Sequence, residues 1–227
     1  MPGEAYLDYP KHEIKHFLGD KPLTALFIPY AAVTFSFDLY EQKVQERFAE
    51  LGFQVKSIHR FSDPVRAVKD AEVIVVGGGN TWQLVRMMHD NHLMDAIREK
   101  VINGTPYIGW SAGSNVACPT LRTTNDMPII DPKSFDTMNL VPFQINPHYL
   151  DANPEGHSGE TREQRIEEFL EINPDIYVVG LREGTMLRVE DDKMHLIGKK
   201  SARIFRYGKA PIELSSEDGL GFLLNSH

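Results

Sequence analysis

Two apolar runs, EVIVVGGGN over 72–80 and TPYIGWSAGS over 105–114, each pass straight into a turn of small residues and then into a helical pattern. This junction constrains the fold more than any other feature of the chain. A short apolar run without polar alternation reads as a strand buried on both faces. Strands of that kind, alternating with amphipathic helices, build a parallel sheet covered on both sides. The rest of the first half agrees. TALFIPYA (24–31) and QVKSIHRF (54–61) read as strands, and residues 38–51 set Leu39, Val44, Phe48 and Leu51 at near-helical spacing. Asp63-Pro64 starts a further helix, with an N-cap followed by proline at the first helical position. TWQLVRMMHDN, residues 93–103 and SAGSNVACPTL are helical in pattern. The order predicts a largely parallel, doubly wound α/β sheet.

After residue 120 the pattern loosens. Residues 122–160 read as loops with a short strand in FQINPHYL. Thr161 to Ile172 is a helix opening on a capping box, Thr161-x-x-Gln164. IYVVGL (176–181) is a strand, TMLRVEDDKMHLIG a hairpin around Asp191-Asp192, and ARIFRY a strand, so the tail is expected to be antiparallel. The chain has 227 residues, without repeats or a low-complexity linker. One domain spanning 1–227 is therefore expected.

Composition removes several classes of function. The net charge is −8, which opposes a general nucleic-acid binder, since phosphate contacts need clustered Lys and Arg. No apolar run approaches the roughly 20 residues of a membrane span. MPGEAYLDYPKHEIK lacks the basic start and apolar stretch of a signal peptide. A single cysteine, Cys118, excludes an internal disulfide. Together these point to the cytoplasm.

Gly109-Trp110-Ser111-Ala112-Gly113 fits G-x-S-x-G. Where a strand runs directly into a helix, small neighbours let the two approach closely and leave the serine hydroxyl exposed at the sheet's C-terminal end. The N–H of Ala112 then sits at a helix N-terminus and can donate to an oxyanion. An ordinary strand-to-helix turn needs small residues too, so the strand before and the helix after carry the argument. Gly77-Gly78-Gly79-Asn80 forms a second such turn, able to bind an anion or complete an oxyanion hole. It is neither GxGxxG nor a P-loop. A serine nucleophile requires a base and a group that orients it. His148 in INPHYL and His157 in PEGH both lie in the loop-rich region, and Glu183 lies just past the strand IYVVGL.

GWSAGSNVACPTLRTTNDMPI, FQINPH, PEGHSGETREQRI and VVGGGNT closely resemble peptidase E, the bacterial α-aspartyl dipeptidase family, from about Pro2 to residue 190. The resemblance implies a serine peptidase on a fold related to class I glutamine amidotransferases, with a Ser-His-Glu triad. It selects Ser111 as nucleophile, His148 as base over His157, and Glu183 as carboxylate. It places oxyanion donors at Gly79 and Ala112. It implies cleavage after an N-terminal aspartate in dipeptides and short peptides, without metal or cofactor, in a monomer or homodimer. A substrate carboxylate calls for a bidentate cation. Arg162 is the choice, because a cation in the first turn of a helix opposes the macrodipole. Arg122 is the alternative, and Asp126 could hold the substrate's amino group. The family usually begins with an apolar strand ahead of the PG that here is Pro2-Gly3, so that first strand is expected to be missing.

Other signals are weaker. His12-Glu13-Ile14-Lys15-His16 matches HExxH, but Ile14, Phe17 and Leu18 form the apolar stripe, which turns both histidines to solvent. His89-x-x-His92 reads as a solvated face, and Cys118 as a small core residue. Two further functions fit the same scaffold: a cyanophycinase-like hydrolase of β-aspartyl peptides, and a non-catalytic small-molecule binding protein.

Overall fold

A computed structural model describes residues 6–153, 156 and 159–225. Pro2, Gly3 and His157 lie outside the described residues. The chain runs α1 (Lys11–Leu18), β1 (Thr24–Ile28), α2 (Phe37–Ala49), β2 (Gln54–Ser57), α3 (Pro64–Asp70), β3 (Val73–Val76), α4 (Thr81–Asp90), α5 (Leu93–Ile102), β4 (Tyr107–Gly109) and α6 (Ala112–Asn115). It continues with β5 (Gln144–Pro147), α7 (Arg162–Ile172), β6 (Tyr177–Leu181), β7 (Thr185–Glu190), β8 (Lys193–Gly198), β9 (Ala202–Arg206) and β10 (Ile212–Leu214).

β2-β1-β3-β4 form a parallel sheet. Its inner strands β1 and β3 are apolar on both faces because both are covered, whereas the edge strand β2 is partly exposed. Leu26, Ile28, Ile74 and Val76 pack with α3, α4 and α5, while Ala25, Phe27, Val73 and Val75 pack with Tyr40, Val44 and Phe48 of α2 and Ile14 of α1. The caps are as the sequence predicts. The Asp63 side chain accepts from Arg66 N ahead of Pro64, and Thr161 and Gln164 close a capping box.

The second sheet, β10-β9-β6-β5, pairs β5 with β6 in parallel and the rest antiparallel; β7 and β8 form the expected hairpin. The two sheets are not joined by backbone ladders. The Asn115 side-chain amide and the Thr123 hydroxyl each donate to Ile145 O at 2.9 Å, while Ile145 N donates to Cys118 Sγ at 3.2 Å. Side chains thus satisfy the edge of β5 that a neighbouring strand would otherwise pair.

Several elements are shorter than their sequence patterns predict. The strand expected over 24–31 ends at Ile28, and the one over 105–110 covers Tyr107–Gly109. Residues 54–61 are strand only to Ser57, then a 3₁₀ turn. α6 ends at Asn115, although the helical pattern runs on to Leu121. Backbone N–H groups of 137–141 take the carbonyls of Val116, Ala117, Cys118 and Pro119, which removes those acceptors from any continuing helix. His12 and His16 are exposed on α1, and Ile14 is buried. No helix among the described residues is long and apolar enough to cross a membrane.

Candidate active site

Parallel register assembles the site. Val76 pairs with Gly109, so the residues that follow, Gly77-Gly78 and Trp110-Ser111, run side by side off the sheet. A Cβ on Gly78 would stand 2.9 Å from Ser111 Cβ. In the second sheet Pro147 pairs with Leu181, which brings His148 beside the Arg182-Glu183 step. Loops at the C-terminal ends of parallel strands are where such folds gather their chemistry.

Ser111 has φ 54° and ψ −113°, a backbone state disfavoured for a side chain with a Cβ. The turn persists because it is held on both sides. Gly113 packs so closely on β3 that a Cβ there would meet Val76 O at 2.3 Å, and the Tyr107 hydroxyl donates to Gly113 O at 2.6 Å. His148 also has positive φ, at 54°. Its Nε2 lies 2.9 Å from Ser111 Oγ, and its Nδ1 is hydrogen-bonded to Glu183 Oε1. The His148 and Glu183 side chains are about half exposed, and Ser111 is partly exposed.

Residues 1–197 match the model of peptidase family S51. Peptidase E of Nostoc sp. (strain PCC 7120) is 55% identical over 222 residues, spanning 98% of this chain and 92% of that one. Peptidase E of Salmonella typhimurium is 46% identical over 216 residues, spanning 95% and 94%. The chain belongs to peptidase family S51. It is a serine-type peptidase. The crystal structure of a peptidase from an acI-B1 Actinobacterium shares the fold, with a TM-score of 0.68 and 20% identity over 96% of this chain and 93% of that one.

Around Ser111, the backbone N–H groups of Ala112, Gly78 and Gly79 have no hydrogen-bond acceptor among the described residues. The N–H groups that flank them are used: Gly77 N donates to Ile28 O and Asn80 N to Ala31 O. Gly79 has φ 134°, and a Cβ there would strike Ala31 O at 2.3 Å, so only glycine fits.

The cations separate clearly. Among the described residues the Arg162 side chain has no ion pair or hydrogen-bond partner, though it is only partly exposed. Its neighbours Glu160 and Glu163 are engaged elsewhere, with Arg165 at 3.5 Å and Arg203 at 2.9 Å. Burial holds the Arg162 guanidinium below its usual range; Arg165 adds to this, and Asp126 pulls the opposite way. Arg122 is exposed and lies over the Phe135 ring at 4.6 Å. Asp126 Oδ2 accepts from Thr81 N and Thr81 Oγ1, both at 2.7 Å, and from Thr124 Oγ1 at 3.1 Å.

Cys118 is buried, and burial pushes its thiol up to about 12, as befits a core residue. Asp38, Glu41 and His59 bring possible ligand atoms within 4.8 Å of one another, but Arg60 is paired with both carboxylates. Sequence reasoning missed Arg182, which ties the strand end carrying Glu183 to Asp151 and Glu213. It also missed Asn125, whose amide donates to Pro147 O at 2.7 Å, directly before His148. Neither residue belongs to a local motif; the only available signal was proximity in sequence to Glu183 and Asp126.

Proposed function

We propose that this S51 peptidase hydrolyses the bond after an N-terminal aspartate in dipeptides and short peptides, with Ser111 as nucleophile, His148 as general base and Glu183 as its orienting carboxylate. The observation that carries the reading is His148, whose two ring nitrogens reach Ser111 Oγ and Glu183. Glu183 favours the tautomer with the proton on Nδ1, which leaves Nε2 free to accept the serine proton. Ser111 Oγ attacks the carbonyl carbon of the aspartyl residue as His148 takes its proton. The oxyanion is met by the N–H groups of Ala112 and Gly79. His148 then protonates the leaving amine, the C–N bond breaks, and an aspartyl ester on Ser111 remains. Water attacks that ester by the same route and releases aspartate.

Arg162 supplies the specificity. A partly buried guanidinium without a carboxylate partner among the described residues favours a ligand that brings one, and the aspartyl side chain does so in bidentate fashion. Asp126, which acts on Arg162 electrostatically, is suited to the substrate's ammonium. A panel of α-Asp-Leu, β-Asp-Leu and Leu-Leu tests the reading. The α-linked peptide is expected to be cleaved fastest by a wide margin. Preferential cleavage of the β-linked peptide would move the chain to the β-aspartyl hydrolases, and equal cleavage of Asp-Leu and Leu-Leu would remove Arg162 from its role.

A further inference from the structure

Two arms meet at the site, the Trp110-Ser111-Ala112 elbow and the Gly77–Asn80 turn. They are joined by a chain of hydrogen bonds through two tyrosines. Trp110 Nε1 donates to Tyr6 Oη at 2.8 Å, the Tyr6 and Tyr40 hydroxyls are 3.0 Å apart, and Tyr40 Oη donates to Gly78 O at 2.9 Å. The direction of the chain is fixed at both ends. An indole N–H can only donate and a carbonyl oxygen can only accept. Tyr40 spends its single proton on Gly78 O, so Tyr6 must donate to Tyr40 and accept from Trp110.

The chain ends on a peptide unit that matters. Gly78 O and the N–H of Gly79 belong to one planar trans peptide and point in opposite directions. Holding the oxygen toward Tyr40 therefore turns the Gly79 N–H away from Tyr40. Without a Cβ at Gly78 or Gly79, this peptide has little steric reason of its own to keep one orientation. The tyrosines are well held. Tyr40 is buried and meets Phe27 edge-on at 4.9 Å, while Tyr6 meets Tyr40 at 6.3 Å and Trp110 at 6.1 Å.

We infer that Tyr40, supported by Tyr6, is a positioning residue that sets the Gly78–Gly79 peptide against the serine elbow and so aims one donor of the oxyanion hole. This rests on the proposed use of Gly79 and Ala112 as oxyanion donors. Burial pushes both phenols up from their usual value, which keeps each protonated, as the chain requires.

The test compares transition-state with ground-state recognition in Tyr40→Phe, which keeps the ring and removes the hydroxyl. The expected result for Asp-Leu is a fall in kcat of about tenfold to a hundredfold, with KM little changed, because a mis-aimed oxyanion donor is felt chiefly in the transition state. The boronic acid analogue of aspartate, which becomes tetrahedral on Ser111, should lose affinity by a matching factor, and the product aspartate should not. Tyr6→Phe, at a more exposed ring, should show a smaller loss of the same kind, roughly three- to tenfold. Unchanged kcat and boronate affinity in both variants, with wild type still cleaving Asp-Leu, would overturn the clamp and leave the proposed function standing. An equal loss of boronate and aspartate affinity would also overturn it, by showing general distortion. A wild-type chain that cleaves no aspartyl peptide would remove the function and the clamp together.

Discussion

Arg162 shows how a single residue can be informative through what it lacks. Glu160 and Glu163, the acids nearest in sequence, are paired with other arginines, while the Arg162 guanidinium is partly buried without a partner among the described residues. Such a group loses solvation without an internal return, so it stands ready for an external carboxylate. Arg162→Gln is expected to lower kcat/KM for Asp-Leu by about a hundredfold or more, the scale of a lost charge-assisted bidentate contact. The same variant should close the gap between Asp-Leu and Asn-Leu, which a comparison of the two rates will check. At Glu183 the expectation is different. Glu183→Gln retains the shape but no longer favours the required imidazole tautomer, and should lower kcat by about a thousandfold or more with a small change in KM. The sequence pattern alone left His148 and His157 as alternatives. Only resemblance chose between them, because the contact of Ser111 with His148 spans 37 positions and leaves no local trace.

At the scale of elements, tight junctions hold the strained residues. The turn of β4 into α6 was legible from the sequence because its cause is local: an apolar strand, small residues and a helical pattern lie in one run. Gly113→Ala would press a Cβ against Val76 O at 2.3 Å. It should cost about 1–3 kcal/mol in urea unfolding and displace Ser111, with loss of activity. The end of β6 is held differently. Arg182 bridges Asp151 and Glu213, and Glu213 also accepts from Ser201 and Arg203. With Arg182 as the main cause, the Glu213 carboxyl falls from its ordinary 4.5 to about 2. A carboxyl held low when folded contributes stability in full above pH 4.5, and that contribution drains away as pH falls toward 2. Glu213→Gln should therefore lower Tm at pH 7 by a few degrees, given the carboxyl's exposure, and the difference from wild type should vanish on acidification.

At the scale of the whole molecule, the proposed catalytic constellation spans two sheets. Ser111 follows the last strand of the parallel sheet, whereas His148 and Glu183 follow neighbouring strands of the mixed one. The alternating pattern of the first half made the parallel sheet readable, and the Thr161 capping box and the Asp191 hairpin were readable for the same local reasons. The break between sheets was not. It depends on Asn115, Thr123 and Cys118 turning their side chains onto Ile145, and a helical pattern over 111–121 does not reveal that. Asn115→Ala should cost about 1–3 kcal/mol of stability in denaturant titration, because a buried junction loses one of its donors. It should also lower kcat, because Asn115 lies in α6, which follows Ser111, and Ile145 in β5, which leads to His148. The central claim, that Ser111 attacks an N-terminal aspartyl bond, is tested most directly by the rate of Asp-Leu hydrolysis in wild type and in Ser111→Ala. Loss of about a hundred-thousandfold or more in the variant, with circular dichroism unchanged, is the predicted result. Undiminished hydrolysis by Ser111→Ala would contradict the account.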